Sequence, residues 1–194
     1  MLAYDIRDDY EIIEGVKFMS PSPSMRHTSV VLNLATDINI YLRNKKCGVV
    51  FHDRIDVHFP EEKNTFCPDL TIIRSDNPDI GHNKMDGAFY GVPDMVAEIF
   101  SRSTMKRDVG IKKDVYERNG VKEYWMIDPW SETIQVYILR EGKYELDEVY
   151  SNYTEKELTE LTDEERAEVK MEVPVAVLDG FKIKVRNIFG WYFE

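Results

Sequence analysis

Cysteine is scarce in this chain of 194 residues. The two cysteines, Cys47 and Cys67, lie neither in a C-x-x-C pair nor in a cluster with histidine. This isolation argues against a zinc site and against a disulfide framework. We therefore expect reduced thiols, which are typical of proteins in the cytoplasm.

Long hydrophobic runs are also missing. No window of the sequence is both long enough and apolar enough to cross a lipid bilayer. The first ten residues, M-L-A-Y-D-I-R-D-D-Y, lack the basic and then apolar pattern of a secretory signal peptide. We therefore expect a cytoplasmic protein without a membrane span.

Positive charge is in deficit, because 25 Lys and Arg residues stand against 36 Asp and Glu residues and give a net charge of −11. This balance argues against a protein that coats nucleic acid with its whole surface. The charge is uneven, however, since five basic residues and one acid lie between Arg102 and Lys113. Such a local basic segment is compatible with a ligand that carries phosphate.

The hydrophobic fraction of 43% is enough for a folded protein with a sizeable core, and we interpret residues 1–194 as a single domain. Apolar residues at helical spacing predict a helix over residues 26–44. A second helix is predicted over residues 109–118, with Asp108 as its N-cap and Asn119-Gly120 as its end. Residues 153–169 predict an acidic helical elaboration.

Strand patterns occupy much of the remaining chain. One hairpin is predicted around Glu14-Gly15 and another over residues 133–150. Alternating apolar residues predict one strand over residues 49–59, and residues 75–91 predict a long polar loop that is a candidate rim of a site. Mostly apolar stretches predict further core strands at residues 68–73, 95–100 and 123–127. The order of elements predicts an α/β or α+β fold, in which the first helix packs on one side of a mixed sheet.

Two carboxylates interrupt these apolar strands. Glu98 is the one charged residue between residues 95 and 100, and Asp69 opens the strand at residues 68–73. A carboxylate in such a stretch is costly to bury unless it is paired, protonated or bound to a metal. Because a basic loop and a helix with Lys112 follow Glu98, the pattern indicates a cation-dependent active site.

Each of these residues also has a purely structural interpretation. Glu98 could pair with Lys112, and Asp69 could cap a turn after Pro68. Lys112 could form a surface pair with Asp108, four residues away. The basic residues of the loop are often solvated. His27 at the start of the first helix is more often a hydrogen-bonded structural residue than a catalytic one, and we expect Tyr124 and Trp125 in the core.

Several motifs in the same order resemble one known family, the Uma2 family, formerly DUF820, of the PD-(D/E)XK restriction-endonuclease-like superfamily. The resemblance extends over residues 9–150 and is faint again at V-L-D-G-F-K-I-K-V. The motifs that carry it are D-Y-E-I-I-E-G, R-H, P-D-L, P-D-M-V-A-E-I-F-S-R-S-T, D-V-G-I-K-K-D-V-Y and G-V-K-E-Y-W-M-I-D-P.

The resemblance implies a mixed central sheet flanked by helices and a divalent metal, Mg²⁺ or Mn²⁺. By position, Asp69 corresponds to the first acid of the superfamily and Glu98 to the second. The superfamily lysine usually lies two residues after the second acid, but Phe100 occupies that position here. A lysine on the following helix takes its place in this family, which points to Lys112, with Lys113 as the alternative.

We therefore interpret the chain as a Mg²⁺-dependent endonuclease that hydrolyses phosphodiester bonds, with Asp69 and Glu98 as metal ligands and Lys112 as the catalytic lysine. The expected partner is nucleic acid, DNA first, and the residues expected to contact it are Arg102, Lys106, Arg107 and Lys113. His27 is a further candidate. One alternative is an inactive nucleic-acid-binding module on the same fold. Another is a protein-interaction module or homodimer that uses residues 153–169 and the aromatic tail at residues 189–193.

Overall fold

The computed structural model describes residues 10–13, 16–19, 22–52, 55–60, 62, 65–82, 87–100 and 108–190. The helices of this part of the chain are α1 (Met25–Lys45), α2 (Asp108–Asn119), α3 (Glu155–Glu160), α4 (Asp163–Glu168) and α5 (Val185–Phe189), with a short 3-10 helix at Ile80–His82. Not one of these helices is long and apolar enough to span a membrane.

Thirteen strands are found in the described ranges. In chain order they are β1 (Tyr10–Ile13), β2 (Val16–Met19), β3 (Gly48–His52), β4 (Val57–His58), β5 (Thr65–Phe66), β6 (Leu70–Arg74), β7 (Phe89–Tyr90), β8 (Met95–Ile99), β9 (Glu123–Asp128), β10 (Thr133–Arg140), β11 (Lys143–Ser151), β12 (Glu172–Pro174) and β13 (Lys182–Lys184).

The central sheet has six strands in the order β11-β10-β9-β8-β6-β3. It is mixed, because β8 and β9 are parallel while its other neighbours are antiparallel. A second sheet has the order β2-β1-β5-β4-β7, and β12 pairs with β13. This architecture confirms the predicted mixed sheet with helices and additional hairpins.

Hydrophobic cores lie on both faces of the central sheet. One contains the apolar face of α1, α5 and the residues of β8 that point toward them, Met95, Ala97 and Ile99. The other contains Val96 and the inward residues of α2, Val115 and Tyr116. Successive residues of a strand point to opposite faces, so a short apolar strand such as β8 supplies both cores.

The single strand predicted over residues 49–59 is wrong, because the structure divides this segment between two sheets. β3 pairs with β6 until His52 lies opposite Leu70, whereas β4 pairs with β5 and β7. The chain passes from the central sheet to the second sheet between His52 and Val57. Alternation of apolar residues marks a strand but does not specify the sheet in which that strand pairs.

Other predicted elements are confirmed within small differences of their ends. The first helix spans Met25–Lys45, and the acidic segment forms the two short helices α3 and α4. β1 pairs with β2 as a hairpin, although its predicted turn at Glu14-Gly15 lies outside the described residues. The predicted N-cap, Asp108, is the first residue of α2, and its side chain also lies outside them.

Candidate active site

Asp69 and Glu98 come together at one end of the central sheet. Leu70 of β6 lies opposite Ala97 of β8, so the next antiparallel pair places Asp69 opposite Glu98. The backbone N–H of Ile99 donates to Asp69 Oδ2 at 2.8 Å, which ties the first acid to the residue after the second. Two acids that are 29 positions apart in sequence therefore lie at the same end of the sheet, on neighbouring strands.

Both carboxylates are buried, with 9% of Asp69 and 8% of Glu98 exposed. A buried charge requires hydrogen-bonding partners, and α2 supplies them for Glu98. Lys112 Nζ lies 3.1 Å from each oxygen of Glu98, and the Tyr116 hydroxyl donates to Oε1 at 2.7 Å. Lys112 and Tyr116 are four residues apart and therefore project from the same face of the helix.

The structure separates the two candidate lysines. Lys112 is buried against Glu98, whereas the Lys113 ammonium lies 3.8 Å from the centroid of the Tyr137 ring. Lys112 is therefore not the surface lysine that its spacing from Asp108 suggested. The alternative interpretation, in which Glu98 pairs with Lys112, is confirmed, because the two side chains are in contact. The same contact is also expected of a catalytic lysine beside a metal ligand when no metal is bound.

His27 lies beside the first acid. Ser24 caps α1 by accepting the backbone N–H of His27, which sets the first turn of the helix. The ring nitrogen Nε2 of His27 is 3.3 Å from Asp69 Oδ1, and Nδ1 is buried without a hydrogen-bond partner in the described part of the chain. The prediction from sequence placed His27 in the site only as a further candidate, and the structure puts it in contact with Asp69.

The charge of the site acts on His27. Burial alone would lower the pKa of the imidazole, but the hydrogen bond and charge of Asp69, together with the charge of Glu98, outweigh it. The pKa of His27 consequently lies above its ordinary value. The imidazole therefore carries positive charge up to a higher pH than a free histidine, next to two acids whose negative charges it offsets.

The predicted basic loop cannot be placed in the same way. Arg102, Lys106 and Arg107 lie outside the described residues, so their contact with nucleic acid stays a prediction. Tyr124 and Trp125 are fully buried, which confirms that they belong to the core.

The loop over residues 75–91 does not border these acids where it is described. Asn77 donates to Asp94 Oδ2 and to the carbonyl of Val92, and Asp79 accepts the backbone N–H of Val92. These contacts lie just before the first residue of β8, whereas Glu98 lies near the last residue of that strand. The interpretation of this loop as a rim of the site is wrong for these residues, because the hydrogen bonds of Asn77 and Asp79 hold the loop at the end of the sheet away from Asp69 and Glu98.

The donor chemistry of the site fits a hard divalent cation. Asp69 and Glu98 offer carboxylate oxygens, the ligands that Mg²⁺ and Mn²⁺ take in proteins. Within the described ranges no group of three or more His, Cys, Asp or Glu side chains is arranged to hold a metal. A site with two carboxylates leaves the remaining positions to water and phosphate oxygens, which suits Mg²⁺ because it keeps several waters.

Two contacts of this site were not predicted from the sequence. The first is the hydrogen bond from the hydroxyl of Tyr116 to Glu98. The spacing of four between Tyr116 and Lys112 was the available signal, because it puts both polar groups on one helix face. The bond from the Ile99 N–H to Asp69 had no signal in the sequence, since it depends on the register of β6 and β8.

Comparisons with known proteins agree with this architecture. The sequence profile of the Uma2 family, described as "Putative restriction endonuclease", matches residues 4–175. A solved structure from Anabaena variabilis ATCC 29413, described as a "putative nuclease belonging to DUF820", is similar with a TM-score of 0.69 and 20% sequence identity. The similarity covers 94% of this chain and 90% of that one and shows a shared fold. No curated protein matches the sequence.

Proposed function

This chain belongs to the Uma2 family, and from that membership we propose that it is a divalent-metal-dependent endonuclease that hydrolyses phosphodiester bonds in nucleic acid, with DNA as the first substrate to test. The observation that carries the proposal is the position of Asp69 opposite Glu98, buried at the end of β6 and β8. Together the two acids offer the carboxylate oxygens that a hard cation binds, and Lys112 and His27 offset their charge in the absence of a metal.

Asp69 and Glu98 would hold Mg²⁺ or Mn²⁺, which supplies an activated water and neutralises negative charge on the phosphate. The protein's own contribution is to fix the two acids. Asp69 is held by the backbone of Ile99 and by His27, and Glu98 is held by two side chains of α2. Because strands and a helix position these groups, little reorganisation is needed when substrate binds.

Lys112 has the position required of a catalytic lysine in this proposal. Its ammonium bridges both oxygens of Glu98, so it lies at the metal ligand itself. From there it would orient the attacking water or donate to a phosphate oxygen as negative charge develops. The basic residues Arg102, Lys106 and Arg107, between Glu98 and α2, would contact the nucleic-acid backbone.

Cleavage of plasmid, linear duplex and single-stranded DNA in the presence of Mg²⁺, Mn²⁺ or EDTA tests the proposal. We expect cleavage that needs the metal and falls below detection in Asp69→Asn and Glu98→Gln. The matched control is Glu123→Gln, which makes the same change at a fully buried glutamate at the other end of the sheet. Activity that survives in Glu98→Gln, or is lost equally in Glu123→Gln, would remove the assignment.

A second candidate function is supported by the contacts of Glu98. Lys112 and Tyr116 already satisfy this carboxylate, which is also the arrangement expected of a nucleic-acid-binding module that does not cleave. Such a module would bind DNA with a strong dependence on salt and would bind equally well as Glu98→Gln. Fluorescence anisotropy over a salt series, together with the cleavage assay, separates the two functions.

A further inference from the structure

Tyr116 lies closer to Glu98 than Lys112 does. The Tyr116 hydroxyl donates to Oε1 at 2.7 Å, whereas Lys112 Nζ is equally distant, at 3.1 Å, from Oε1 and Oε2. An ammonium that is equidistant from both oxygens does not favour either of them. The hydroxyl of Tyr116 therefore distinguishes the two oxygens and sets the orientation of the carboxylate.

The ring of Tyr116 is in a position to hold that hydroxyl still. Tyr116 is fully buried, and its ring centroid lies 5.9 Å from that of Phe59, 5.8 Å from that of Phe66 and 5.4 Å from that of Tyr124. Aromatic contacts on several sides restrict both torsions of the side chain. The position of the hydroxyl is consequently determined by the core beneath the site and not by solvent.

We propose that Tyr116 is a positioning residue that orients Glu98 for divalent-cation binding. This inference rests on the proposed function, because it assigns to Glu98 the role of a metal ligand. The contact with Lys112 does not distinguish the two oxygens, so removal of the hydroxyl takes away a hydrogen bond that fixes Oε1. Hydrogen-bond partners of metal ligands commonly change metal affinity by about 10- to 100-fold when they are removed.

The chain provides a matched control in Tyr124. Tyr124 is also fully buried, and its ring contacts that of Tyr116. Its hydroxyl has no hydrogen-bond partner in the part of the chain that the structure describes. Tyr116→Phe and Tyr124→Phe thus remove the same atom from adjacent rings of one core, and only the first of these hydroxyls contacts Glu98.

The experiment measures Mn²⁺ binding directly, by the electron paramagnetic resonance signal of free Mn²⁺ during titration of the wild type, Tyr116→Phe, Tyr124→Phe and Glu98→Gln. We expect the affinity to fall by about tenfold or more in Tyr116→Phe, to remain unchanged in Tyr124→Phe and to be abolished in Glu98→Gln. Urea unfolding of each variant establishes that the titrated protein is folded, and both phenylalanine variants keep the ring that fills the core.

Two outcomes would overturn the inference while leaving the proposed function intact. One is binding of Mn²⁺ by Tyr116→Phe with the affinity of the wild type. The other is an equal loss in both phenylalanine variants, which would assign the effect to ring packing. A wild-type protein that binds no Mn²⁺ would instead overturn the proposed function and this inference together.

Discussion

Glu123 is a buried carboxyl at the start of β9, away from the acids of the candidate site. It accepts hydrogen bonds from Trp125 Nε1 at 2.7 Å and from the backbone N–H of Val177 at 2.9 Å. Burial opposes its ionisation more strongly than these donors favour it, so the pKa of Glu123 is raised to about 7. Stability of the fold should therefore respond to pH through this residue.

Between pH 4.5 and about 7 the folded protein retains a proton on Glu123 that the unfolded chain releases. The folded state binds more protons in this window, so the free energy of unfolding falls as pH rises, by about 3 kcal/mol in total. Glu123→Gln, which does not titrate, should lack this part of the pH dependence. Urea unfolding of both proteins from pH 4.5 to 8 measures the difference, and parallel profiles would contradict it.

Lys112 and Lys113 should differ sharply when each is replaced by methionine. Lys112→Met leaves the buried carboxylate of Glu98 without its cation, which should lower the free energy of unfolding by about 3 kcal/mol and abolish cleavage. Lys113→Met loses a contact with the Tyr137 ring that is worth about 0.5–1 kcal/mol, and as the loss of an expected nucleic-acid contact it should weaken DNA binding without abolishing cleavage. Chemical denaturation and the cleavage assay test both, and equal effects of the two changes would refute the distinction.

The sequence predicted the two acids and the pairing of Glu98 with Lys112, but not the hydrogen bonds that hold Asp69. Asp69 and Glu98 could be identified from the sequence because a charged residue in an apolar strand is unusual in any fold. The partner of Asp69 is a backbone N–H of another strand, at Ile99, and no residue type marks such a donor. The sequence does not show that Lys112, and not Lys113, contacts Glu98, because this depends on which face of α2 packs against the sheet.

At the scale of elements, features with local causes were predicted well. α2 ends at Asn119 with Gly120 at a φ of +86°, and the β10–β11 turn uses Glu141 and Gly142 at φ values of 50° and 78°. Glycine, and less often asparagine, adopts positive φ values readily, so the end of α2 and the β10–β11 turn could be predicted from the sequence. The division of β3 from β4 was missed because alternation of apolar residues continues through both strands and does not specify the sheet in which each one pairs.

Two glycines in different elements should respond oppositely to alanine. A Cβ at Gly48 of β3 would lie 2.6 Å from the Ile73 carbonyl oxygen of β6, so Gly48→Ala must push two paired strands apart and should cost about 1–3 kcal/mol. A Cβ at Gly110 of α2 would meet nothing within 4 Å among the residues that the structure describes, and Gly110→Ala should stabilise the helix by about 0.5–1 kcal/mol. Thermal or urea unfolding measures both changes, and shifts of the same sign would contradict the expectation.

At the scale of the whole molecule, the C-terminal segment belongs to the core although the family match ends at residue 175. Arg74 donates to the carbonyl of Val177, and the Tyr41 hydroxyl of α1 donates to the carbonyl of Asp179. α5 follows and packs against α1, with its buried residues Val185, Ile188 and Phe189 in the same cluster. The segment therefore packs along α1, where Asn33 donates to the carbonyl of Ile188 and Asn187 donates to Asp37.

This arrangement predicts a large effect of a change far from the candidate site. Ile188 is fully buried between α5 and α1, so Ile188→Ala should lower the free energy of unfolding by about 2–5 kcal/mol through lost apolar burial and a cavity. Ile40 of α1 is the matched control, because it is 55% exposed and Ile40→Ala should change stability by less than about 0.5 kcal/mol. Urea unfolding at constant pH measures both. If Ile188→Ala were as mild as Ile40→Ala, the segment after residue 175 would contribute little to the stability of the fold, and its assignment to the core would be refuted.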